Sequence, residues 1–348
     1  MQGISHRWRL LSGQENWKNL LDPLDIDVRR YIIHYGAMAQ ATYDTFNSEK
    51  TIKVCRKQQI CKEASIGQGV STDEGKIALG RRDILIAWRG TVQAIEWVKD
   101  FDFPLVPATK ILGKLTHGAN VHSGVLSIYT STDKQSKYNK TSARDQVLLE
   151  VRRQVERFKN EEMSITITGH SLGAALSTLC AADIVANGYN KPGDKPNDPC
   201  SVTVFKFGSP LIGDLKFKEI IESMKKLHIL NVRNAADIVP HYPPVGYSKI
   251  GIELLVDSRV SPFLKYPGDV VTWHILEPAY LHSVAGTKGS EGGFHLEVNR
   301  DIALVNKSSN ALKDKYSIPS FWWCQQNKGM VQEDNGHWVL HDHENDDN

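Results

Sequence analysis

The chain has 348 residues, 42 of them Lys or Arg and 40 Asp or Glu, and 41% of its residues are hydrophobic. A formal charge of +2 with no block of like charge is not the pattern of a nucleic-acid-binding protein. The composition also excludes collagen-like and disordered chains, and no apolar run is long enough to cross a membrane. We therefore expect a folded globular protein with no transmembrane segment and no nucleic-acid partner.

Cysteine use and the N-terminal segment both favour a cytoplasmic location. The segment around Trp8, Glu15 and Trp17 lacks the continuous apolar stretch of a signal peptide. An odd number of scattered cysteines without a CxxC pair favours reduced thiols over a disulfide framework or a zinc site. The five are Cys55, Cys61, Cys180, Cys200 and Cys324.

The first predicted elements are a helix, a strand and a long loop. Behind Asp25, a typical helix cap, apolar residues recur from Val28 to Ala39 at the spacing of one helix face. The run from Ile84 to Trp88 is apolar throughout, as in a strand that is buried on both faces. Residues 101 to 123 are apolar without a sustained period and contain Pro and Gly, which predicts a surface loop.

The second half of the chain alternates helices with strands. We predict a helix from Thr141, an Ala-rich helix over Ala174–Ala186, and strands over 164–168, 202–207 and 227–232. This alternation is typical of an α/β fold with a central, mostly parallel sheet flanked by helices. Because no linker divides the chain, we predict a single domain over residues 1–336, which includes an N-terminal helical extension. Residues 337–348 are predicted to be a flexible, acidic, His-rich tail.

One short motif carries the candidate chemistry. Residues 169–173 read Gly-His-Ser-Leu-Gly, a G-x-S-x-G pattern between a predicted strand and a predicted helix, where it forms a nucleophile elbow. The sharp turn strains the backbone at Ser171, and the two glycines let neighbouring elements approach. The turn also points the N-terminus of the following helix at the Ser171 hydroxyl, so the N–H of Leu172 can stabilise an oxyanion. We predict that Ser171 is a nucleophile.

A serine nucleophile needs a base and an orienting carboxylate, which follow it along this kind of chain in the order Ser, Asp, His. Asp237, shortly after the strand that ends at Val232, is the candidate carboxylate, with a turn or helix cap as an equally weighted alternative. The spacing of the histidines in the sequence does not identify which of them is the base. We prefer His274, which follows an apolar run, and place His282 second. The other candidates are His241, His295 and the histidines of the tail.

The second oxyanion donor is expected from a loop that follows an earlier strand. Gly90 and Thr91, directly after the strand that ends at Trp88, are the best-placed residues. Gly90 lets the backbone approach a bound acyl carbonyl, and Thr91 offers both an N–H and a hydroxyl. We predict an oxyanion hole made by Thr91 and Leu172, and no metal or organic cofactor. A metal site at His341, Asp342, His343 and Glu344 is a less favoured alternative.

Seven blocks along the chain carry a family resemblance. They are residues 7–36, AWRGT at 87–91, VHSGVLSIYTS at 121–131, GHSLGAAL at 169–176, FGSPLIGD at 207–214, NAADIVP at 234–240, and RDIALVNK through NKGMV at 300–331. With them the chain resembles the plant class 3 lipases, and within these the cytosolic phospholipase A1-II group. The resemblance implies an α/β-hydrolase fold and hydrolysis of the sn-1 acyl ester of phospholipids. It also implies Ser171 as nucleophile, Asp237 as orienting carboxylate and, from the pattern W-H-x-L-E, His274 as base.

One departure from the family pattern concerns the base. The family keeps a fixed short spacing between this histidine and a second one in a Y-L-H segment. Here Pro278 is an added residue between His274 and His282. The two histidines therefore remain alternatives.

A lipase of this kind has to meet its substrate at a bilayer, because a long-chain lipid must leave the membrane to reach the serine. We expect a phospholipid substrate and transient contact with a membrane surface. The candidate lid is Phe101–Leu115, within residues 101–120, with an ordinary loop over the core as the alternative. Phe321-Trp322-Trp323 is either an interfacial anchor or core packing. The alternative functions are a non-catalytic, lipase-like scaffold, and a lipase or esterase acting on galactolipids, acylglycerols or small esters.

Overall fold

A computed structural model describes residues 2–45, 60–61, 66–91, 104–136, 139–195, 197–323 and 326–341. Helices in these ranges are α1 Gln2–Leu11, α2 Ile26–Asp44, α3 Asp73–Leu79, α4 Thr109–Leu112, α5 Ser123–Thr130, α6 Ala143–Arg157, α7 Leu172–Ala186, α8 Leu215–Ser223 and α9 His282–Gly286. Strands are β1 Ile60–Cys61, β2 Ile66–Val70, β3 Arg82–Trp88, β4 Leu105–Pro107, β5 Asn120–His122, β6 Met163–His170, β7 Ser201–Phe207, β8 Leu227–Asn234, β9 Ile252–Val256, β10 Met330–Gln332 and β11 Trp338–Leu340. Short 3₁₀-helices and a π-helix over Leu276–Leu281 connect them.

The main sheet brings the ends of distant chain segments to one edge. Its described strands run in the order β1-β2-β3-β6-β7-β8-β9. The five strands from β3 to β9 in this order are parallel, and β2 and β1 extend the sheet antiparallel beyond β3. The loops that follow β3, β6, β7 and β8 therefore leave the sheet at the same edge. The arrangement is that of the α/β-hydrolase fold, which confirms the predicted fold class.

Helices cover both faces of the sheet. Val204 and Phe205, neighbours on β7, belong to two separate apolar clusters because strand side chains alternate between faces. On one face α2 begins at its predicted cap, where the Asp25 carboxylate accepts from the N–H of residues 27 and 28, and Tyr35 stacks on Phe205 at 5.0 Å. On the other face lies α7, which is buried along almost its whole length. Within the described ranges, no helix is both long and apolar enough to span a bilayer.

The segment predicted as an apolar surface loop is mostly folded onto the core. Residues 101–103 lie outside the described ranges, but β4, α4 and β5 follow from residue 105. Ile111 and Leu112 are fully buried in the cluster beneath α7, and the Ile111 carbonyl accepts from the Asn187 side chain at 2.8 Å. The surface-loop prediction is wrong here, because a helix of one turn is too short to show a helical period in the sequence.

The predicted tail begins later than residue 337. Trp338–Leu340 form β11, which pairs antiparallel with β10, and the Trp338 ring lies 4.5 Å from that of the buried Trp322. The tail prediction is therefore wrong for these residues, while residues 342–348, with three of the four candidate metal ligands, lie outside the described ranges. The same contact places Trp322 in core packing, and Phe321 beside it is partly exposed.

Candidate active site

Ser171 occupies the turn between β6 and α7. Its backbone has a φ of 59° and a ψ of −129°, a strained combination for a residue with a side chain. Gly169 and Gly173 are required because a Cβ on the first would collide with the backbone of the second, and a Cβ on Gly173 would collide with the carbonyl of Trp88. The sharp turn forecast from the motif is present, and it sets Ser171 at the N-terminus of a 15-residue helix.

Asp237 and His274 form a buried hydrogen-bonded pair. Asp237 follows β8, and its Oδ2 lies 2.6 Å from His274 Nδ1. Since a carboxylate only accepts, Nδ1 carries the proton, and Nε2 of a neutral ring is left with its lone pair. The other carboxylate oxygen accepts from Val239 N–H at 2.9 Å. Asn234 at the end of β8 holds the two loops together, since its amide donates to the Trp273 carbonyl at 2.9 Å and to Ser258 Oγ.

Ser171 and His274 both contact the turn after β7. Ser171 N–H donates to the Phe207 carbonyl at 2.9 Å, and a Cβ on Gly208 would lie 3.1 Å from His274 Cε1. Ser171 Oγ and His274 Nε2 are buried, and neither has a hydrogen-bond partner among the described residues. These are the two atoms between which a serine hydrolase transfers its proton, and their bond commonly tightens only when substrate is bound.

His282 lies in a different environment. Its Nε2 is 2.8 Å from Ser261 Oγ, and its ring stacks on Phe294 at a centroid distance of 4.9 Å. Burial lowers the pKa of His282 to about 3. His241 and His295 are exposed, and their ring nitrogens contact Arg233 and Glu297, respectively. Of the histidines weighed as base within the described ranges, His274 is therefore the one that the fold brings to Asp237.

The added residue, Pro278, lies within a π-helix over Leu276–Leu281. A π turn holds one residue more than an α turn, so the chain widens locally. Tyr280, within this segment, donates its hydroxyl to Asp237 Oδ2, the same oxygen that accepts from His274. Burial and the nearby carboxylate raise the pKa of Tyr280 well above its usual value, so it stays a donor.

The predicted oxyanion donors flank Ser171. Leu172 is the first residue of α7, whose N-terminal N–H groups face the turn. Gly90 packs against the elbow from the other side, where a Cβ would lie 3.1 Å from Ser171 Cβ and 2.5 Å from the His170 carbonyl. Thr91 follows immediately, and the chain from residue 92 to 103 lies outside the described ranges. The structure thus places the Gly90–Thr91 turn beside the nucleophile.

Comparison with known proteins decides the family. The model of the family Lipase (class 3) matches residues 85–247. Phospholipase A1-IIgamma of Arabidopsis thaliana is 46% identical and aligns with 99% of this chain and 94% of its own length. Phospholipase A1-II 7 of Oryza sativa subsp. indica is also 46% identical, with 98% of both chains aligned. The chain belongs to the class 3 lipases, in the plant phospholipase A1-II group. The family resemblance drawn from the sequence is thereby confirmed.

Solved structures similar to this class 3 lipase are more distant in sequence. A Rhizomucor miehei triacylglyceride lipase is 21% identical, with a TM-score of 0.49 over 65% of this chain and 79% of its own. A triacylglycerol lipase from Penicillium expansum is 19% identical, with a TM-score of 0.45 over 66% of this chain and 81% of its own.

Behind Ser171, Asp237 and His274 lies a chain of hydrogen bonds that sequence reasoning missed. His170 Nε2 is 2.7 Å from the His274 carbonyl, and Nδ1 is 2.8 Å from the Tyr43 hydroxyl. A carbonyl can only accept, so Nε2 is protonated, Nδ1 accepts and Tyr43 donates. Gly90 packs against the same tyrosine oxygen, because a Cβ on this glycine would collide with it. Burial, with His274 next to it, holds the pKa of His170 far below its usual value, so this ring stays neutral.

This network ties the candidate oxyanion turn to the backbone of the base. Its hydrogen bonds run from Tyr43 through His170 to His274, and Gly90 packs against the Tyr43 hydroxyl. One signal in the sequence could have found Tyr43, because it continues the apolar face of α2 four residues after Ala39. Nothing comparable marks His170, which sits at a variable position of the motif. No group of three or more candidate ligand side chains within the described part of the chain is arranged to hold a metal ion.

Proposed function

We propose that this protein is a phospholipase A1 that hydrolyses the sn-1 acyl ester of phospholipids through Ser171, His274 and Asp237. The observation that carries the proposal is the buried Asp237–His274 pair beside a strained Ser171, in which the serine oxygen and the free imidazole nitrogen both lack partners among the described residues. Support comes also from the phospholipase A1-II proteins that are 46% identical over nearly the whole chain.

Acylation follows from this arrangement. His274 Nε2 takes the proton of Ser171 as Oγ bonds to the ester carbonyl carbon, and the carbonyl oxygen becomes an oxyanion that accepts hydrogen bonds from Leu172 and Thr91. Asp237 holds the ring in the required tautomer and stabilises the imidazolium. Collapse of the intermediate breaks the bond to the glycerol oxygen, which leaves as the lysophospholipid after His274 returns the proton. Water then cleaves the acyl-serine by the same steps.

Transient contact with a bilayer is part of the proposal. Three aliphatic side chains in the segments that follow β8 and β9 are exposed, Ile238 beside Asp237, Val245, and Val271 shortly before His274. Val245 is 82% exposed and Val271 55%. Residues 235–275 hold four carboxylates and three Lys or Arg, so insertion of aliphatic side chains, rather than attraction to anionic lipid, would drive the contact.

Vesicle binding tests this contact. Replacing Val245 and Val271 together by serine should weaken binding to phosphatidylcholine vesicles, measured by sedimentation, about 30-fold, because two valines that insert into the bilayer contribute roughly 1 kcal/mol each. The matched control replaces Ile77 and Leu149, which are 78% and 73% exposed on α3 and α6. Equal binding of both double variants would remove this surface from the proposal.

A cytoplasmic location also belongs to the proposal. It is supported by Cys180 and Cys200, which are free thiols in the described part of the chain. Imaging of the full chain fused to a fluorescent protein tests it, and secretion or retention in a membrane-bound compartment would contradict it.

Product analysis tests the proposed reaction. With phosphatidylcholine carrying distinguishable sn-1 and sn-2 chains, the protein should release the sn-1 fatty acid, and Ser171→Ala should not. A fluorophosphonate probe should label the unmodified protein at Ser171. Absence of labelling together with absence of fatty-acid release would favour a non-catalytic scaffold, and turnover that persists in Ser171→Ala would overturn the serine mechanism.

A further inference from the structure

A cleft of about 190 Å³ lies beside the catalytic histidine. Trp273, the residue directly before His274, lines the cleft, and the two Cα atoms are about 3.8 Å apart. Pro278, two residues before the Tyr280 that contacts Asp237, lines it as well. The mechanism above uses no side chain of this cleft, although the cleft begins at the residue next to the base.

Two cations line this cleft and keep donors free for a ligand. The Arg259 guanidinium uses Nε and Nη2 on Asp257, at 2.8 and 2.7 Å, and its Nη1 has no partner among the described residues. Lys265 Nζ lies 2.8 Å from both Asn310 Oδ1 and Asp314 Oδ1, so one of its three N–H groups is left over. Because both residues line the same cleft, their remaining N–H groups are the donors available there to a phosphate oxygen.

The same cleft also holds a carboxylate and two aromatic side chains. Asp269 lines it, and hydrogen bonds from Thr272 hold the pKa of this carboxyl below its usual range, so it is charged at neutral pH. Tyr266 and Trp273 are further lining residues. A carboxylate with aromatic rings is the side-chain set that binds a quaternary or primary ammonium.

We propose that this cleft is the head-group subsite of the enzyme, and that it binds a zwitterionic amino-alcohol phosphodiester, with the phosphate at Arg259 and Lys265 and the ammonium at Asp269 and the aromatic residues. The inference rests on the proposed phospholipid hydrolysis and adds a substrate preference to it. A phospholipid whose head group lacks the ammonium, such as phosphatidylglycerol, leaves Asp269 facing the lipid without a cation. It is therefore the poorer substrate.

Two variants test the two halves of the subsite. Asp269→Asn keeps an oxygen for the Thr272 N–H but removes the charge, so kcat/KM for phosphatidylcholine in mixed micelles should fall about tenfold, with little change for phosphatidylglycerol. Arg259→Gln should lower kcat/KM for both phospholipids about tenfold. Neither should alter hydrolysis of p-nitrophenyl butyrate, which has no head group. The matched controls are Asp198→Asn and Arg153→Gln, exposed charges away from the cleft.

A binding measurement on the unmodified protein keeps the test independent of folding. Glycerophosphocholine should inhibit hydrolysis competitively, and glycerol 3-phosphate should inhibit less. An unchanged ratio of phosphatidylcholine to phosphatidylglycerol activity in Asp269→Asn, or equal inhibition by both compounds, overturns the subsite. Equal loss of phospholipid and p-nitrophenyl butyrate hydrolysis in Asp269→Asn overturns the subsite too, because Asp269 would then only support the turn that leads to His274.

A different outcome contradicts the proposed function instead of the subsite. It is a protein that cleaves p-nitrophenyl butyrate but releases no fatty acid from any phospholipid.

Discussion

Two buried carboxylates in this lipase, Asp83 and Asp237, each lie in a cluster of polar side chains. The clusters differ in whether all their polar atoms are hydrogen-bonded, and we call the Asp83 group the structural cluster and the Asp237 group the reactive cluster. Asp83, at the start of β3, accepts from Ser164, Thr166 and Tyr35 at 2.6 to 2.8 Å. Arg81 lies 3.6 Å from it. Asp237, at the opposite edge of the sheet, accepts from His274, Tyr280 and Val239.

The difference lies in the atoms around each carboxylate. At Asp83, the hydroxyls of the three partner side chains are all hydrogen-bonded, two of them also to Arg81. Beyond Asp237, His274 Nε2 and Ser171 Oγ are buried without partners among the described residues. A buried polar atom without a partner costs stability, so a structural cluster is expected to satisfy its atoms, while a reactive site keeps its reacting atoms available.

The largest effect is expected from a substitution in the reactive cluster. Asp237→Asn should reduce kcat by about 10⁴-fold with little change in unfolding free energy, because the amide keeps the shape but favours the wrong tautomer of His274. Steady-state kinetics with p-nitrophenyl butyrate measure it. A loss below tenfold would show that Asp237 does not orient the base.

The second largest effect is expected from a substitution in the structural cluster. Asp83→Asn should lower the unfolding free energy by about 3 kcal/mol, because it leaves the fully buried Arg81 without its counter-charge. The matched control is Asp73→Asn. Asp73 pairs with Arg82 at 2.7 Å but is exposed, so its loss should cost less than about 1 kcal/mol.

Urea unfolding with an activity assay at each step separates the two clusters. Activity per folded molecule should be unchanged in Asp83→Asn. A drop in kcat of the folded variant would contradict the assignment of this cluster to stability alone.

A smaller effect is expected from the network behind the triad. Tyr43→Phe removes the hydroxyl that bonds His170 and packs against Gly90, and kcat should fall about tenfold, with KM for a soluble ester little changed. If kcat stays within twofold of the unmodified enzyme, the network does not position the base or the oxyanion turn.

A dependence of stability on pH is expected from the second histidine. The pKa of His282 is about 3 in the folded protein and about 6.5 when unfolded, so the unfolded state binds more protons between these values. This histidine therefore contributes stability above pH 6.5, and the contribution is lost as pH falls, by about 1.4 kcal/mol per pH unit. Unfolding at pH 7, 6 and 5 should show a shallower decline for His282→Gln. Parallel curves would contradict the burial of a neutral His282.

Much of the fold could be read from the sequence, and the errors have a common cause. The strands at 164–168, 202–207 and 227–232 and the long helices were found because each spans enough residues to show its own period. The helix Thr109–Leu112 and the strand Trp338–Leu340 are too short for that. Their residues are recognised as buried or paired only when the rest of the molecule surrounds them.

The site divides in the same way. The elbow at Ser171 was determined by five adjacent residues, because the strain of the turn and the need for glycines are local steric effects. The sequence favoured His274 over His282 but left both open, and the tertiary structure decided between them. The two histidines are close in sequence, but of the two only His274, on the loop held by Asn234, reaches Asp237. The wider π turn places Tyr280 on the same carboxylate and His282 in an aromatic pocket. A hydrogen bond between residues 37 positions apart depends on where the sheet places two loops, and no local pattern contains that information.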